Sequence, residues 1–358
     1  MKITFLLPYA GMNGGIRVVA IYAQLLRERG HEVSVISVTK KPMSLRKTLR
    51  YIINQKKWPY SRKRQGETYL DKNDPWWTIL SHAGPITDND LPDADIVIAT
   101  WWKTAEWANC LSQRKGIKVY FCQGYETHNI QYRKRAEETY QLQMKKICVS
   151  HWVSKKIKNL NGKDDQNIVT NGVDLKLFYQ SMETTRDRRC FGFMYSADNI
   201  KGIDIILEAL LLARKKDPRI RAVAFGSSPP SKHLLLPEWI DFYESPPQES
   251  IREIYSKCSA WLFGSRSEGF GLPILEAMAC RTPVIATPAG AAPDLVTESC
   301  GFIIPHENSS AMAEKILSIS TLHPAGWKSL SKSAYKVAQS NNWNDAVIKF
   351  EKILTDVK

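Results

Sequence analysis

Short apolar segments rich in Val, Ile and Phe alternate with helix-patterned segments along most of this chain. The first apolar segment, residues 2–8, is followed by a glycine turn and then by a helix whose apolar side chains recur every three or four positions until Gly30. A strand that is repeatedly followed by a helix and another strand is typical of a parallel sheet. The alternation therefore predicts an α/β protein with doubly wound parallel sheets.

The alternation runs in two series, which predicts two Rossmann-like domains facing across a cleft. The 358 residues suit two domains of about 100–200 residues each. Residues 179–189 are polar and lack apolar periodicity, so we interpret them as the linker. The predicted domains are residues 1–180 and 181–339. The amphipathic helix expected at about 340–358 can pack on either domain, including back on the first. Open parallel sheets bind ligands at the carboxyl ends of their strands, where we look for functional residues.

Positive charge is concentrated in the first half of the chain. Residues 1–180 hold 29 Lys and Arg against 16 Asp and Glu, whereas the other 178 residues hold 21 against 20. This asymmetry predicts an anionic partner, such as nucleic acid, a membrane surface or a phosphorylated substrate. The seven cysteines are scattered without a C-x-x-C pair, which is typical of reduced thiols in a cytoplasmic protein. No apolar run approaches the ~18–20 residues of a membrane span.

The densest positive charge lies in residues 40–64, which contain ten Lys and Arg and no acidic residue. Within this segment an apolar stripe of Leu and Ile runs from Leu45 to Ile53 at helical spacing, and Trp58 and Tyr60 follow. A basic amphipathic helix of this kind is typical of a protein lying on an anionic membrane. The alternative is a helix that packs its stripe on the first domain and leaves its basic face in water.

The most specific motif is the segment 267–279, SEGFGLPILEAMA, which follows a predicted strand. Gly269 and Gly271 allow the backbone to approach a ligand closely, and Pro273 suits the first turn of a helix, whose free N–H groups attract anionic oxygen. Glu276, one turn into that helix, could accept hydrogen bonds from two vicinal ribose hydroxyls. Glu268 could reach hydroxyls at the other end of the same ligand. The segment therefore predicts a binding site for a phosphorylated, hydroxyl-rich molecule.

With its E-x7-E pair, Glu268 and Glu276, this segment resembles the retaining nucleotide-sugar glycosyltransferases of family 4, which have the GT-B fold. The resemblance follows family order over nearly the whole chain. The matching segments are Gly14-Gly15, Asn171-Gly172-Val173-Asp174 with Phe178, Lys201-Gly202, and residues 267–290.

The resemblance implies transfer of a sugar from a nucleoside-diphosphate donor to an acceptor hydroxyl, in glycan, polysaccharide or glycolipid synthesis. It implies that Lys201 binds the diphosphate and Glu268 the donor sugar, as the catalytic residues, and that Glu276 holds the ribose. The donor-binding residues would be Gly14, Gly15, Lys201, Glu268, Gly269, Phe270, Gly271, Leu272 and Glu276. The donor would be a UDP, GDP or dTDP sugar, used without a cofactor.

Two details refine this expectation. The family's second diphosphate-binding cation lies five residues before the lysine, where this chain has Ser196, so Arg266 or Arg17 is a candidate substitute. Asp93 and Asp95 form a D-x-D pattern of the kind that binds metal in other glycosyltransferases. Because they directly precede a predicted strand, we interpret them as a turn and predict a metal-independent enzyme.

The acceptor is expected on the first domain, where polar and aromatic residues follow two predicted strands. The acceptor candidates are Trp101, Trp102, Tyr125, Glu126 and His128. Tryptophan faces suit the apolar faces of sugars, although the two tryptophans could equally belong to the core.

Two other functions remain open at this point. A nucleotide-sugar-binding protein without catalysis would explain Ser196. A nucleic-acid-binding protein would explain the basic half but leaves the motif around Glu268 without a purpose, so no nucleic acid partner is predicted.

The charge of residues 40–64 also bears on where the protein is located and on its acceptor. The protein is predicted to be cytoplasmic. If residues 40–64 bind lipid, we expect it to lie on the inner face of the membrane and to use a lipid-linked acceptor. If the segment packs on the first domain instead, a soluble glycan is the expected acceptor.

Overall fold

The computed structural model describes residues 1–9, 11, 13–39, 74–163, 166–180 and 186–358. The basic segment 40–64, with its predicted membrane contact, lies outside the described residues. The chain forms two compact units. The first comprises Met1–Ile147, Asp165–Asn167 and Val347–Lys358, and the second comprises Cys148–Asp164 and Ile168–Ala346.

Strands and helices alternate along both units. The strands are β1 (Lys2–Leu7), β2 (Glu32–Ser37), β3 (Trp77–Ile79), β4 (Ile96–Ala99), β5 (Ile117–Cys122), β6 (Lys145–Cys148), β7 (Asn167–Ile168), β8 (Cys190–Met194), β9 (Arg221–Gly226), β10 (Ile240–Glu244), β11 (Ala260–Phe263), β12 (Val284–Ala286) and β13 (Gly301–Ile303). The helices are α1 (Gly14–Glu28), α2 (Trp102–Asn109), α3 (Arg133–Thr139), α4 (His151–Asn161), α5 (Ile203–Lys216), α6 (Gln248–Lys257), α7 (Leu272–Ala279), α8 (Ala292–Leu295), α9 (Ser309–Thr321), α10 (Pro324–Gln339) and α11 (Trp343–Asp356).

The strands form two sheets, which confirms the predicted α/β class with two parallel sheets. The order in the seven-stranded sheet is β3-β2-β1-β4-β5-β6-β7, and in the six-stranded sheet it is β10-β9-β8-β11-β12-β13. In the second sheet every neighbouring pair is parallel. The strand order reverses direction between β1 and β4 and again between β8 and β11, and ligands bind at such switch points in open α/β sheets.

The core of the first unit receives an aromatic side chain from the last helix. Phe350 of α11 is fully buried, and its ring lies 4.6 Å from that of Tyr22, 5.0 Å from that of Phe121 and 6.4 Å from that of Phe5, measured between centroids. Close beside it, Glu351 accepts a hydrogen bond from Arg29 at 2.6 Å. Residues 347–358 therefore belong to the packing of a sheet whose first strand starts at Lys2.

Within the described ranges, no helix combines the length and the apolar character that crossing a membrane requires.

Candidate active site

The loop between β11 and α7 is held in one shape by close backbone packing. Gly271 caps α7 with a φ of +92°, and a Cβ there would lie 3.0 Å from Cζ of Phe263. Gly290 has a φ of +59°, and a Cβ there would lie 2.7 Å from the carbonyl oxygen of Phe270. The same carbonyl accepts a hydrogen bond from the Ala291 N–H at 2.8 Å. Glycine is needed at both positions, because another residue would strain the backbone at these positive φ values and its Cβ would lie too close to a neighbouring atom.

A serine outside the motif supports the same loop. The Ser150 hydroxyl, at the N-terminus of α4, donates to the carbonyl oxygen of Gly269 at 2.7 Å and accepts from the Val153 N–H at 3.3 Å. On the other side of the loop, the Thr287 hydroxyl donates to the carbonyl oxygen of Ser265 at 2.6 Å. The loop is thus tied to two neighbouring segments of the second unit.

The two residues predicted to be catalytic are in direct contact. Lys201 lies in a short helical turn, Asn199–Lys201, after β8, and its Nζ is 2.6 Å from Oε2 of Glu268. Both side chains are largely buried, with 22% and 19% of their surface exposed. The contact follows from the sheet order, since β8 and β11 are neighbours and their carboxyl ends lie together. The pair presents a cation and a carboxylate at one switch point, which suits a ligand with both phosphate and hydroxyl groups.

Glu276 is the buried carboxylate of this site. It lies in α7 with 5% of its surface exposed, and its Oε2 accepts a hydrogen bond from the Tyr255 hydroxyl at 2.8 Å. A buried carboxylate needs hydrogen-bond donors around it, because leaving such a group unsatisfied is costly. Glu276 is therefore held by a tyrosine hydroxyl in the helix that follows the glycine-rich loop.

The guanidinium of Arg266 is engaged in cross-linking the elements around the Lys201 turn. It donates to Asp204 of α5 at 2.7 Å, to Glu307 at 2.6 Å and to the carbonyl oxygen of Asn199 at 2.7 Å. The two carboxylates raise the pKa of Arg266. Since its charge is already balanced, Arg266 is poorly suited to replace the cation that the family places at the position of Ser196.

The predicted glycines of the first unit lie at the start of α1. Asn13 caps this helix by accepting a hydrogen bond from the Ile16 N–H at 2.9 Å. A Cβ at Gly15 would lie 3.5 Å from Oε1 of Gln123, which follows β5. Gly14 and Gly15 thus occupy the carboxyl end of β1, where the first sheet has its switch point.

Three of the acceptor candidates meet at the carboxyl ends of β4 and β5. Trp101 caps α2, and Trp102 is 3% exposed with its ring 5.2 Å from that of Trp101. The backbone N–H of Trp102 donates to Oε2 of Glu126 at 2.9 Å. Tyr125 stacks on Tyr140 at 5.5 Å. His128 is exposed. Of the two tryptophans, Trp101 has the more accessible face.

Burial raises the pKa of Glu126 to about 8, although the hydrogen bonds from the Trp102 N–H and the Tyr120 hydroxyl act in the opposite direction. The unfolded carboxyl releases its proton near pH 4.5, so between about pH 5 and 8 the folded state holds one proton more. We therefore expect the free energy of unfolding to fall as the pH rises through this window, by up to about 1.4 kcal/mol per pH unit from this group.

Urea unfolding at several pH values measures how the free energy of unfolding depends on pH. Glu126→Gln should remove this contribution, whereas Glu138→Gln, which changes an exposed carboxylate of α3, should retain it. Equal slopes in Glu126→Gln and the unmodified protein would contradict the assignment.

The D-x-D pattern is engaged with neighbouring groups. Asp93 accepts hydrogen bonds from Arg114 at 2.8 Å and Lys115 at 2.9 Å, and Asp95 accepts from the Lys2 N–H at 2.7 Å. The pattern lies at the amino end of β4, opposite to the carboxyl ends where the other candidates lie. Across the described ranges, three or more His, Cys, Asp or Glu side chains do not group into a set that could hold a metal ion.

Comparison with known proteins identifies the family. Residues 176–355, half of the chain, match the family model described as glycosyl transferases group 1. The chain belongs to this family. The matched region contains Lys201, Glu268 and Glu276.

Curated relatives of this chain are distant, and the matches cover only part of each protein. An uncharacterised glycosyltransferase of Methanocaldococcus jannaschii is 27% identical over 219 residues, which cover 59% of each protein. A D-inositol 3-phosphate glycosyltransferase of Kribbella flavida is 26% identical over 201 residues, which cover 49% of this chain and 47% of the relative. The chain thus spans about half to three fifths of the length of these relatives.

Solved structures resemble this chain over nearly its whole length. HepE of Anabaena, in complex with UDP-glucose, matches with a TM-score of 0.74 and 17% identity over 99% of this chain and 100% of that one. Sucrose-phosphate synthase of Thermosynechococcus elongatus matches with a TM-score of 0.72 and 16% identity over 100% of this chain and 99% of that one. At this level of identity the likeness concerns the fold, and it confirms the predicted GT-B class.

Proposed function

We propose that this glycosyltransferase moves a sugar from a nucleoside-diphosphate sugar to an acceptor hydroxyl and retains the anomeric configuration, as expected for family 4. The observation that carries the proposal is the contact between Lys201 and Glu268 beside a glycine-rich loop that leads to the buried Glu276. Complexes of HepE with UDP-glucose and of a pneumococcal O-GlcNAc transferase with UDP and GlcNAc support a nucleotide-sugar donor. The donor is a UDP, GDP or dTDP sugar.

The chemistry assigns different tasks to the cation and to the carboxylates. The bond between the sugar's anomeric carbon and the diphosphate oxygen breaks while the acceptor oxygen bonds to the same face of that carbon. The acceptor proton passes to the departing diphosphate. Lys201 stabilises the negative charge that develops on the diphosphate, and such preorganised charge is a major source of rate enhancement. Glu268 and Glu276 hold the hydroxyls of the donor sugar and of the ribose.

The proposed acceptor rests on residues of the first unit, and the proposed membrane location rests on the charge of residues 40–64. The half-buried Trp101 and the neighbouring Glu126 form the acceptor side, and a glycan or a lipid-linked glycan is the expected acceptor class. The protein works in the cytoplasm. If the basic segment 40–64 binds anionic lipid, the enzyme lies on the inner face of the membrane and builds polysaccharide or glycolipid there.

A donor screen tests the proposal. The full chain is mixed with UDP, GDP and dTDP sugars, and the unfolding midpoint and the release of nucleoside diphosphate are measured with and without EDTA. One donor should stabilise the protein, by about 2.7 kcal/mol at 100 times its Kd, and should be slowly hydrolysed without an acceptor. EDTA should not change this rate. Binding without any release would favour a non-catalytic protein, and loss of release in EDTA would contradict a metal-free mechanism.

A further inference from the structure

Tyr255 is a buried residue that touches the site through its hydroxyl. Its ring is fully buried in α6, and the ring centroids of Trp261, Phe225 and Phe178 lie 4.4, 5.9 and 6.1 Å away. All three neighbours meet it at steep angles, so they enclose the ring from several sides. The hydroxyl donates to Oε2 of Glu276 at 2.8 Å. The tyrosine therefore combines an immobile ring with a single polar group directed at the buried carboxylate.

The backbone of Tyr255 is fixed as well. Its carbonyl oxygen accepts hydrogen bonds from the Thr282 hydroxyl at 2.8 Å and from the Cys258 N–H at 3.1 Å. The Thr282 hydroxyl is in turn close to the guanidinium of Arg186, which also donates to the carbonyl oxygen of Cys258 at 2.8 Å. The end of α6 is thus tied to the turn before β12, and the position of the tyrosine hydroxyl is set by both its ring and its main chain.

This fixed donor limits how the Glu276 carboxylate can turn. The terminal torsion of a glutamate is soft, so an unrestrained carboxylate samples a broad range of orientations. A hydrogen bond from an immobile hydroxyl to one oxygen sets the plane of the group before a ligand arrives. Binding two adjacent hydroxyls with one carboxylate requires such a plane, because both donors must meet oxygen lone pairs at good angles.

We propose that Tyr255 is a positioning residue that orients Glu276 toward both ribose hydroxyls, so that the site selects ribonucleoside diphosphates over their 2′-deoxy counterparts. The inference rests on the proposed function, in which Glu276 holds the ribose. It narrows the donor to a uridine or guanosine diphosphate sugar and disfavours a deoxythymidine one. A deoxyribose would leave the buried carboxylate short of one hydrogen bond, and sites built around a substrate hydroxyl reject analogues that lack it.

Ribose discrimination by four forms of the full chain tests the inference. Calorimetry gives the Kd values of UDP, 2′-deoxy-UDP, GDP and 2′-deoxy-GDP. For the base that binds more tightly, the unmodified protein should prefer the ribonucleotide by roughly 10- to 100-fold, the size expected for a hydrogen bond to a charged group. Tyr255→Phe keeps the ring and its packing, and it should reduce this preference at least fivefold. Glu276→Gln should also reduce it.

Tyr195→Phe is the matched control. It removes another hydroxyl of a buried tyrosine in the second unit, one that donates to the carbonyl oxygen of Leu234 at 2.8 Å. This variant should lose stability and keep the ribose preference unchanged. If Tyr255 had only a structural role, Tyr255→Phe would likewise lower the unfolding midpoint without changing the ribose preference.

The outcomes separate the inference from the proposed function. If Glu276→Gln loses the ribose preference and Tyr255→Phe keeps it, the role of Tyr255 is overturned and the proposed function stands. If the unmodified protein shows no preference, the selectivity is overturned. If neither ribonucleotide binds, or if Glu276→Gln keeps the full preference, the placement of the ribose in the proposed function is itself wrong, and the inference falls with it.

Discussion

The Lys201→Ala variant is expected to transfer sugar about 100 to 1,000 times more slowly than the unmodified protein. Removing one group that stabilises developing negative charge in an enzyme site costs about 2.7–4 kcal/mol of activation energy. The ammonium of Lys201 is largely buried beside Glu268, so water replaces it poorly. Binding of an uncharged nucleoside should change little, because the lysine is assigned to the diphosphate. Steady-state kinetics with the donor found in the screen, together with nucleoside binding by calorimetry, measures both effects.

Lys215→Ala provides the control for the loss of one positive charge. Lys215 is exposed near the end of α5, the helix that starts directly after the Lys201 turn. This variant should retain the unmodified rate within about twofold. A Lys201→Ala enzyme with an unchanged rate would remove the lysine from the mechanism and assign the charge to a different cation.

Gly202→Ala is expected to destabilise the second unit by about 2–4 kcal/mol. Gly202 has a φ of +58°, and a Cβ on it would lie 2.0 Å from the carbonyl oxygen of Gly264. The added methyl group cannot fit there unless the backbone after β8 separates from the backbone after β11, and forced overpacking of this kind costs on the order of 1–3 kcal/mol before backbone strain is added. Thermal unfolding should show a midpoint lower by roughly 4–15 °C. The contact between Lys201 and Glu268 should weaken as well, so the folded fraction should also turn over more slowly.

Gly162→Ala separates steric conflict from backbone strain. Gly162 also has a positive φ, +70°, at the end of α4, but a Cβ there would meet no atom within 4 Å. This variant should cost only about 1 kcal/mol, the usual price of a left-handed alanine. If both glycine variants lost equal stability, the close approach of Gly202 to Gly264 would have no energetic weight.

The parts of the fold that were predictable from the sequence are those encoded locally. The apolar runs at β1, β5 and β8 are continuous because both faces of a parallel strand are buried. The segment from Glu268 to Glu276 combines glycines, a proline and carboxylates at fixed spacing, so its loop-to-helix form was recognisable. Edge strand β10 is not recognisable in this way, because its Asp241 and Glu244 interrupt the apolar run.

The contacts that complete the site depend on which strands are neighbours. Lys201 and Glu268 are 67 residues apart, and they meet only because β8 and β11 are adjacent. The partners of Arg266 lie 62 and 41 residues away, so the sequence left this arginine as a candidate phosphate ligand. Tyr255 follows the helical periodicity of an ordinary core residue, and nothing in that pattern indicates where its hydroxyl points.

The burial of Phe350 has a consequence for how the protein is made. The ribosome releases a chain from its N-terminus, and most domains fold as soon as their own residues have emerged. The first unit cannot do so, because an aromatic ring of its core and the partner of Arg29 come from residues 347–358. Residues 168–346, which supply most of the second unit, are therefore translated before the first unit has its full set of side chains. The seven-stranded sheet therefore lacks part of its core packing until residues 347–358 have been made.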